Sequence, residues 1–202
     1  METVEFYYDY ISPYGYLVDT QLPVSGLSVT YKPISILEVM AKVGNQPSPK
    51  CPSKMSYALD DTDRWARRYG VPHAVNHGWW NAVMSGSLDM RLFSGAALVT
   101  QRDGGFEVFH RVVWDAIWGR PRDVVAPSAR VELLDSVGLP GRQIWEDAAG
   151  TAIGQQLDEC NEVAASRGIF GVPTFFVGND MFFGNDRLDF VKERARRIGV
   201  FA

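Results

Sequence analysis

Cysteine is scarce in this chain, and the placement of the two that are present excludes the chemistry of paired thiols. Cys51 and Cys160 stand far apart and in no C-x-x-C spacing. That spacing is what a dithiol redox pair or a zinc knuckle requires. We therefore predict two free thiols, and we exclude the dithiol exchange that neighbouring cysteines carry out.

Histidines and the common cofactor motifs are also sparse. His73 and His77 are four residues apart, but no carboxylate stands nearby at ligand spacing. The third histidine, His110, lies in an apolar stripe. No phosphate-binding glycine loop, dinucleotide fingerprint or serine nucleophile elbow occurs. The sequence therefore predicts neither a metal site nor a nucleotide cofactor.

Charge and hydropathy exclude two classes of partner. A net charge of -4 and a pI near 5.4 argue against a nucleic-acid surface, which needs clustered positive charge. No apolar run approaches the length that spans a bilayer, and the N-terminal sequence lacks the basic and apolar segments of a signal peptide. We expect a soluble cytoplasmic protein, and a hydrophobic content of 46% predicts a sizeable core.

The most informative local signal is a junction between a predicted strand and a predicted helix. Val4, Phe6 and Tyr8 alternate with more polar neighbours, as in a half-buried strand. Ser12 is a good N-cap, and Pro13 suits the first helical position. Ser12 should therefore lie beside unpaired N–H groups that can hold an anion. On the local pattern alone, a cap without any further role is the simpler explanation.

The rest of the chain predicts an α/β layer interrupted by helices. Val29 and Tyr31 mark a second strand, parallel to the first. Helical spacing of apolar residues then dominates, until residues 173–183 read as a hairpin that precedes a closing amphipathic helix. We predict one domain from residues 1–36 and 168–202, and an all-helical insertion over residues 37–167.

Two loops beside the predicted hairpin offer contacts to a ligand. Pro173 must either be the first residue of a strand or lie at a sheet edge, or else follow a cis bond, and a cis bond would leave the Val172 backbone free to pair with a peptide-like ligand. Both readings stay open. Asn185 or Asp186 suits the cap of the last helix, but the same place offers N–H groups and a carboxylate to a ligand.

Four motifs occur in a characteristic order along the chain: Phe6-Tyr7-Tyr8-Asp9 leading into Ser12-Pro13-Tyr14, Gly44-Asn45-Gln46-Pro47 followed by Lys54, Gly171-Val172-Pro173-Thr174-Phe175, and Phe183-Gly184-Asn185-Asp186-Arg187-Leu188-Asp189-Phe190. Together they resemble the family of kappa-class glutathione transferases and 2-hydroxychromene-2-carboxylate isomerases, a DsbA-related branch of the thioredoxin-like fold. The resemblance implies an α/β, thioredoxin-like domain interrupted by the all-helical insertion. It also implies glutathione as cofactor and a homodimer.

The resemblance assigns a role to each motif. Ser12 would take the place of a thioredoxin-type cysteine and hydrogen-bond the glutathione sulfur. The other implied cofactor contacts come from both ends of the chain and from the insertion: Pro13, Tyr14, Asn45, Lys54, Val172, Pro173, Asn185 and Asp186. Among these, Asn185 and Asp186 would hold the γ-glutamyl end, and Lys54 would add positive charge to an anionic site. One departure is Gly15, where the family often has a second serine, and it leaves the substrate preference open.

The implied reaction is the isomerisation of 2-hydroxychromene-2-carboxylate or a similar aromatic keto acid in aromatic-compound catabolism. In the family, the glutathione thiolate is thought to add to the conjugated acid, a bond rotates, and sulfur is expelled. The stretch from Gly184 to Phe190 looks closer to the isomerases than to the transferases. The alternatives are a kappa-like transferase or peroxidase, and a non-catalytic thioredoxin-like binding protein.

Overall fold

The computed structural model describes residues 3–47 and 50–200. The strands are β1 Val4–Tyr8, β2 Val29–Pro33, β3 Thr174–Val177 and β4 Asp180–Phe183. The α-helices of the described residues are α1 Pro13–Asp19, α2 Ile36–Lys42, α3 Pro52–Tyr69, α4 His77–Met84, α5 Arg91–Asp103, α6 Phe106–Trp114, α7 Pro127–Asp135, α8 Gly141–Ala148, α9 Thr151–Ser166 and α10 Leu188–Ile198. None of these helices is long and apolar enough to cross a membrane.

Both ends of the chain build one mixed sheet, with the strand order β2-β1-β3-β4. β1 runs parallel to β2, with Val4 opposite Val29. On its other side β1 pairs antiparallel with β3, where Phe6 faces Phe175, and β4 completes the hairpin with β3. The predicted β-α-β start, hairpin and α/β fold class are confirmed.

The two faces of β1 pack against different partners because side chains alternate along a strand. Phe6 and Tyr8 stack on one face, with ring centroids 5.4 Å apart. Tyr7 projects to the other face and belongs to a core that includes Ile36 and Val39 of α2. The first turn of α2 is therefore fastened to the sheet by apolar contacts.

The chain divides into two compact units, one from residues 1–71 and 160–202 and the other from residues 72–159. The predicted limits instead give residues 37–71 and 160–167 to the helical part. The difference arises because α2 and α3 pack within the first unit, on the sheet and on α1. Helical periodicity marks a buried face but does not say which unit covers it. The insertion over residues 37–167 therefore stays a prediction.

The second unit is helical and has an aromatic core. Trp79 is fully buried and meets Trp118 edge to face, at a ring separation of 5.2 Å. Phe93 meets Trp145 in the same way at 5.4 Å. Asn76 caps α4 and donates to two backbone carbonyls, so this buried amide serves the packing of its own unit.

Candidate active site

Ser12 begins α1 with its hydroxyl group between two backbone partners. The hydroxyl accepts a hydrogen bond from the Gly15 N–H at 3.1 Å and donates one to the Val172 carbonyl at 3.2 Å. Pro13 occupies the start of the helix, as its fixed φ angle favours. The predicted N-cap is confirmed. The second hydrogen bond joins Ser12 to a loop that lies far along the chain.

The loop that Ser12 contacts offers a backbone donor next to the Ser12 hydroxyl. The peptide bond between Val172 and Pro173 is cis, which answers the question that the sequence left open. The Pro173 carbonyl accepts from the Gly184 N–H at 2.9 Å, while the Val172 carbonyl is held by Ser12. Among the described residues, the Val172 N–H has no hydrogen-bond partner.

Close packing fixes the shape of this loop. A β-carbon on Gly171 would lie 2.6 Å from the Phe183 ring, so a larger residue there would have to displace that ring. The Phe183 ring in turn lies 4.7 Å from that of Phe170. Thr174 donates its hydroxyl hydrogen to the Gly171 carbonyl at 2.7 Å. Val172 is thus presented from a segment that is held on both sides.

Asn185 carries a buried amide group that nothing in the described part of the chain satisfies. The residue is 4% exposed, and its Nδ2 has no hydrogen-bond partner there. Such a group costs about 1–3 kcal/mol when it is left unpaired. The turn that contains Asn185 packs against α1. A ligand acceptor at this position would recover the lost hydrogen bond.

Neither Asn185 nor Asp186 caps the last helix, so the simpler of the two interpretations of this motif is wrong. α10 begins after Arg187 without any side-chain cap. The carboxylate of Asp186 is half exposed and pairs with Arg187 at 2.7 Å. The short turn Asn185–Arg187 separates β4 from α10, and it moves the start of the helix beyond the reach of both side chains.

Asn45 and Lys54 lie in the first unit and differ in how they are held. The Asn45 amide nitrogen donates to the Phe170 carbonyl at 2.6 Å, and its oxygen accepts from the Gln46 N–H at 2.8 Å. Lys54 is exposed in the first turn of α3 and has no ion-pair partner among the described residues. Asn45 therefore braces the segment that leads to Val172, while Lys54 offers a free positive charge.

An open surface depression of about 350 Å³ lies beside Lys54, lined by Tyr14, Ser53, Lys54, Tyr57 and Ala58. The Tyr14 hydroxyl donates to Asp61 at 3.0 Å. Burial, and then the neighbouring carboxylate, raise the pKa of Tyr14 well above its usual range. Tyr14 therefore stays protonated at neutral pH and acts as a hydrogen-bond donor.

Sequence analysis missed the role of Asp9, which lies three residues before Ser12. Its carboxylate is 2% exposed and accepts from the Ile11 N–H at 3.1 Å and the Ile36 N–H at 2.8 Å. Burial raises the pKa of this carboxyl group to about 6, and the two N–H groups oppose that rise. A carboxylate inside an otherwise apolar run was the available signal. Asp9 fastens the turn that presents Ser12 to the start of α2.

Arg167 forms a second polar cluster, on strands β1 and β3. Sequence analysis missed this cluster as well. Its guanidinium group lies 3.7 Å from the centroid of the Phe176 ring and donates to the Tyr7 hydroxyl at 2.8 Å. It also forms an ion pair with Glu5. We call Glu5, Tyr7, Arg167 and Phe176 the Arg167 cluster. No sequence pattern links these positions, because more than 150 residues separate Arg167 from the two β1 residues.

The described residues contain no group of three or more histidine, cysteine or acidic side chains that could hold a metal ion. The ring of His73 stacks on that of Trp118 with an interplanar angle of 7°. His77 begins α4. His73 therefore packs on an aromatic ring, while His77 is exposed.

The sequence is similar to a known family model and to named enzymes along almost its whole length. A family model for the DSBA-like thioredoxin domain matches residues 3–196. A 2-hydroxychromene-2-carboxylate isomerase from Pseudomonas sp. (strain C18) is 33% identical over 202 residues, which cover 95% of this chain and 89% of that protein. Human glutathione S-transferase kappa 1 is 26% identical over 199 residues, covering 93% and 88%.

One solved structure with a similar fold is that of an enzyme with the same name as the relative above. The structure of a 2-hydroxychromene-2-carboxylate isomerase superposes with a TM-score of 0.82 at 25% identity, covering 97% of this chain and 95% of that one. The fold class and the family that the sequence motifs indicate are therefore confirmed. The chain belongs to the DsbA-like thioredoxin family, as an isomerase in the group that contains 2-hydroxychromene-2-carboxylate isomerases and kappa-class glutathione transferases.

Proposed function

We propose that this protein is a glutathione-dependent isomerase of 2-hydroxychromene-2-carboxylate or a similar aromatic keto acid. One observation carries the proposal. The Ser12 hydroxyl is bonded to the Val172 carbonyl, while the Val172 N–H and the buried Asn185 amide have no partners among the described residues. A peptide ligand with a carboxylate end would use these donors.

Glutathione fits the donors and charges of this site. As a tripeptide it offers backbone carbonyl groups to the Val172 N–H. Its γ-glutamyl end carries a carboxylate and an ammonium group, which match the Asn185 amide and the Asp186 carboxylate respectively. The free charge of Lys54 suits an anionic ligand. Pro173 and Asn45 would support the contact loop rather than touch the reacting sulfur.

Bound glutathione supplies a thiolate nucleophile, so the task of the protein is to keep that sulfur charged and oriented. Ser12 would donate its hydroxyl hydrogen to the sulfur, which favours the thiolate over the thiol. A hydroxyl group has one hydrogen, so the present bond to Val172 must be exchanged for the new one. The Tyr14 N–H, next to Pro13 in the first turn, has no backbone partner among the described residues and offers a second donor.

The direct test is turnover with and without glutathione. We expect the protein to convert 2-hydroxychromene-2-carboxylate, followed by absorbance, only when glutathione is present. Calorimetry should show glutathione binding to the parent protein. Equal turnover without glutathione, or no measurable binding by a folded protein, would contradict the proposal.

A second candidate is a kappa-like transferase or peroxidase that joins glutathione to an electrophile. It is favoured by the 26% identity to human glutathione S-transferase kappa 1. The two functions share the sulfur site and differ in the second substrate. A chloronitrobenzene acceptor, tested in parallel with the chromene acid, distinguishes them. The third possibility, a non-catalytic binding protein, has no support from the relatives reported above, which are named as enzymes.

The oligomeric state and location stay predictions. The family resemblance implies a homodimer, which light scattering coupled to size-exclusion chromatography would test. A cytoplasmic location is expected from the sequence, and cell fractionation would test it. No step of the proposed chemistry depends on either.

A further inference from the structure

We propose that α2 joins the two walls of the proposed sulfur site, with Asp9 as the positioning residue at the start of the helix and Asn45 as the positioning residue beyond its end. One wall is the turn that leads to Ser12, and the other is the loop that carries Val172. The inference deepens the proposed function and rests on it, since the spacing of the walls matters to the reaction only if a sulfur anion is held between them.

Asp9 links the Ser12 turn to the first residue of α2. Its backbone carbonyl accepts from the Ser12 N–H at 3.0 Å. One oxygen of its carboxylate accepts from the Ile11 N–H at 3.1 Å, and the other accepts from the Ile36 N–H at 2.8 Å. The residue is only 2% exposed, so water competes little for these hydrogen bonds. The position of Ser12 therefore depends on that of α2.

The start of α2 is capped by other elements of the same unit. Ser35 occupies the N-cap position, but its side chain makes no capping hydrogen bond to the described residues. Instead the Ile36 N–H donates to Asp9, and the Ser35 N–H donates to Asn161 of α9 at 2.8 Å. Ile36 and Val39 are buried in the core beside the sheet, and such close packing transmits displacements. A shift at one end of this short helix is therefore passed to the other.

Beyond the end of α2 the chain turns back and reaches the second wall. The Asn45 N–H donates to the Met40 carbonyl at 2.9 Å, and the Asn45 side chain donates to the Phe170 carbonyl at 2.6 Å. Phe170 precedes Val172 by two residues. The Val172 carbonyl accepts from the Ser12 hydroxyl at 3.2 Å, which closes a ring of contacts that runs through α2.

This ring sets the distance between the Ser12 hydroxyl and the loop that would hold glutathione. A donor stabilises an anion only at short range and with good alignment. If Asp9 loses one of its hydrogen bonds, the Ser12 turn can shift while the peptide contacts at Val172 and Asn185 stay in place. Bound glutathione would then keep its affinity, but its thiolate would lose part of its stabilisation.

The main test compares Asp9→Asn with the parent. Asparagine keeps the size of the side chain but accepts through one oxygen only, so one of the two N–H groups loses its partner. We expect the pKa of the bound glutathione thiol, followed by the absorbance of its thiolate, to rise, so that the ratio of thiolate to thiol falls about tenfold at a given pH. The kcat should also fall about tenfold, while the KM for glutathione changes little.

Asp135→Asn is the matched control. Asp135 also holds the start of a helix, since its carboxylate accepts from the Gly141 N–H of α8 at 2.9 Å, but it belongs to the other compact unit. This variant should leave the pKa of the bound thiol and the kcat unchanged. An Asp9→Asn protein with the thiol pKa and the kcat of the parent, whatever its stability, would overturn the proposal.

A measurement without glutathione separates this inference from the proposed function. Asn45 is exposed, so Asn45→Ala should fold even if Asp9→Asn does not. In NMR spectra, Asn45→Ala should shift the signal of the Ile36 N–H at the opposite end of α2, and Asp9→Asn should shift that of the Val172 N–H. An unchanged signal in either folded variant would overturn the link through α2. If the signals shift but glutathione fails to bind the parent, only the glutathione proposal falls.

Discussion

Two polar clusters attached to the same pair of strands use their hydrogen-bonding groups in opposite ways. In the Arg167 cluster the guanidinium group, the Tyr7 hydroxyl and the Glu5 carboxylate are partners of one another. Around Ser12, the Val172 N–H and the Asn185 amide are left without partners among the described residues. Neither burial nor a missing partner marks a site by itself, since the buried Trp79 indole N–H in the helical core also lacks a hydrogen-bond partner among the described residues. What distinguishes the Ser12 region is that two donors without partners belong to the segments around it.

The largest expected effect is on the chemistry at Ser12. Ser12→Ala should lower turnover about 100-fold, since it removes a donor to a developing or stabilised charge. The mutant also loses an N-cap, which costs about 1 kcal/mol of stability. Steady-state kinetics and thermal unfolding would measure the two effects.

Ser12→Gly is the matched control, because glycine is a tolerated N-cap without a hydroxyl group. It should be nearly as stable as the parent and as inactive as Ser12→Ala. A glycine variant with the activity of the parent would mean that the hydroxyl of Ser12 only caps α1.

Asp9 is the buried group near Ser12 that does have partners, and its raised pKa predicts a pH dependence of stability. In the unfolded chain the pKa of this carboxyl group is about 3.9. In the folded protein its pKa is about 6, so the folded state binds more protons between these values. The free energy of unfolding therefore falls as the pH rises through this window.

Urea unfolding at pH 4.5 and pH 7 would measure this effect. The parent should lose about 2 kcal/mol more than Asp9→Asn between the two pH values. An identical pH dependence of the two proteins would show that Asp9 is charged at both.

Asn185→Leu sharpens the comparison because stability and binding should change independently. Removing an unsatisfied buried amide should leave the stability unchanged or raise it. Glutathione affinity should fall about tenfold, equivalent to about 1.4 kcal/mol. Chemical unfolding and calorimetry on the same protein would measure both changes.

Asn161→Leu is the control for a satisfied amide. Asn161 is fully buried, accepts from the Ser35 N–H and donates to Glu38, both at 2.8 Å. The Asn161→Leu variant should lose about 2 kcal/mol of stability. Its glutathione affinity should be that of the parent. If Asn185→Leu behaved in the same way, the orphaned amide would have a purely structural role.

The smallest effect is expected in the Arg167 cluster. Arg167→Met keeps much of the aliphatic contact but loses the ion pair and the cation–π contact, at a cost of about 1 kcal/mol. The stability of Arg167→Lys should lie between that of Arg167→Met and that of the parent. Glutathione affinity should be unchanged in both, and a loss of binding would connect the two clusters.

Much of the site was predictable because its signals are local. Ser12 and Pro13 mark the start of α1 through capping and a fixed φ angle, and both act within one turn. Strand alternation likewise located β1, but the prediction of a half-buried strand was wrong, because Tyr7 is buried on the other face of the strand. The limits of the units were not predictable in this way. The apolar stripe of α2 indicates burial, but only packing shows that Ile36 meets the sheet.

The residues that sequence reasoning missed depend on contacts between distant parts of the chain. Asp9 and Arg167 look unremarkable in sequence, since their partners at Ile36 and Glu5 lie far along the chain. The same holds for Tyr57, whose hydroxyl shares Asp61 with a tyrosine of another helix. Gly15 differs, because its N–H serves the Ser12 cap without needing a side chain.

By itself, the sequence determined the strands, the hairpin, the start of α1 and the family, because propensities, caps and short motifs act over a few neighbouring residues. The tertiary structure decided which polar groups remain without a partner, among them the Val172 N–H and the Asn185 amide. A hydrogen bond is made or missed only once distant segments come within about 3 Å of one another. That is the physical reason why the free donors around Ser12 could be found only in the folded chain.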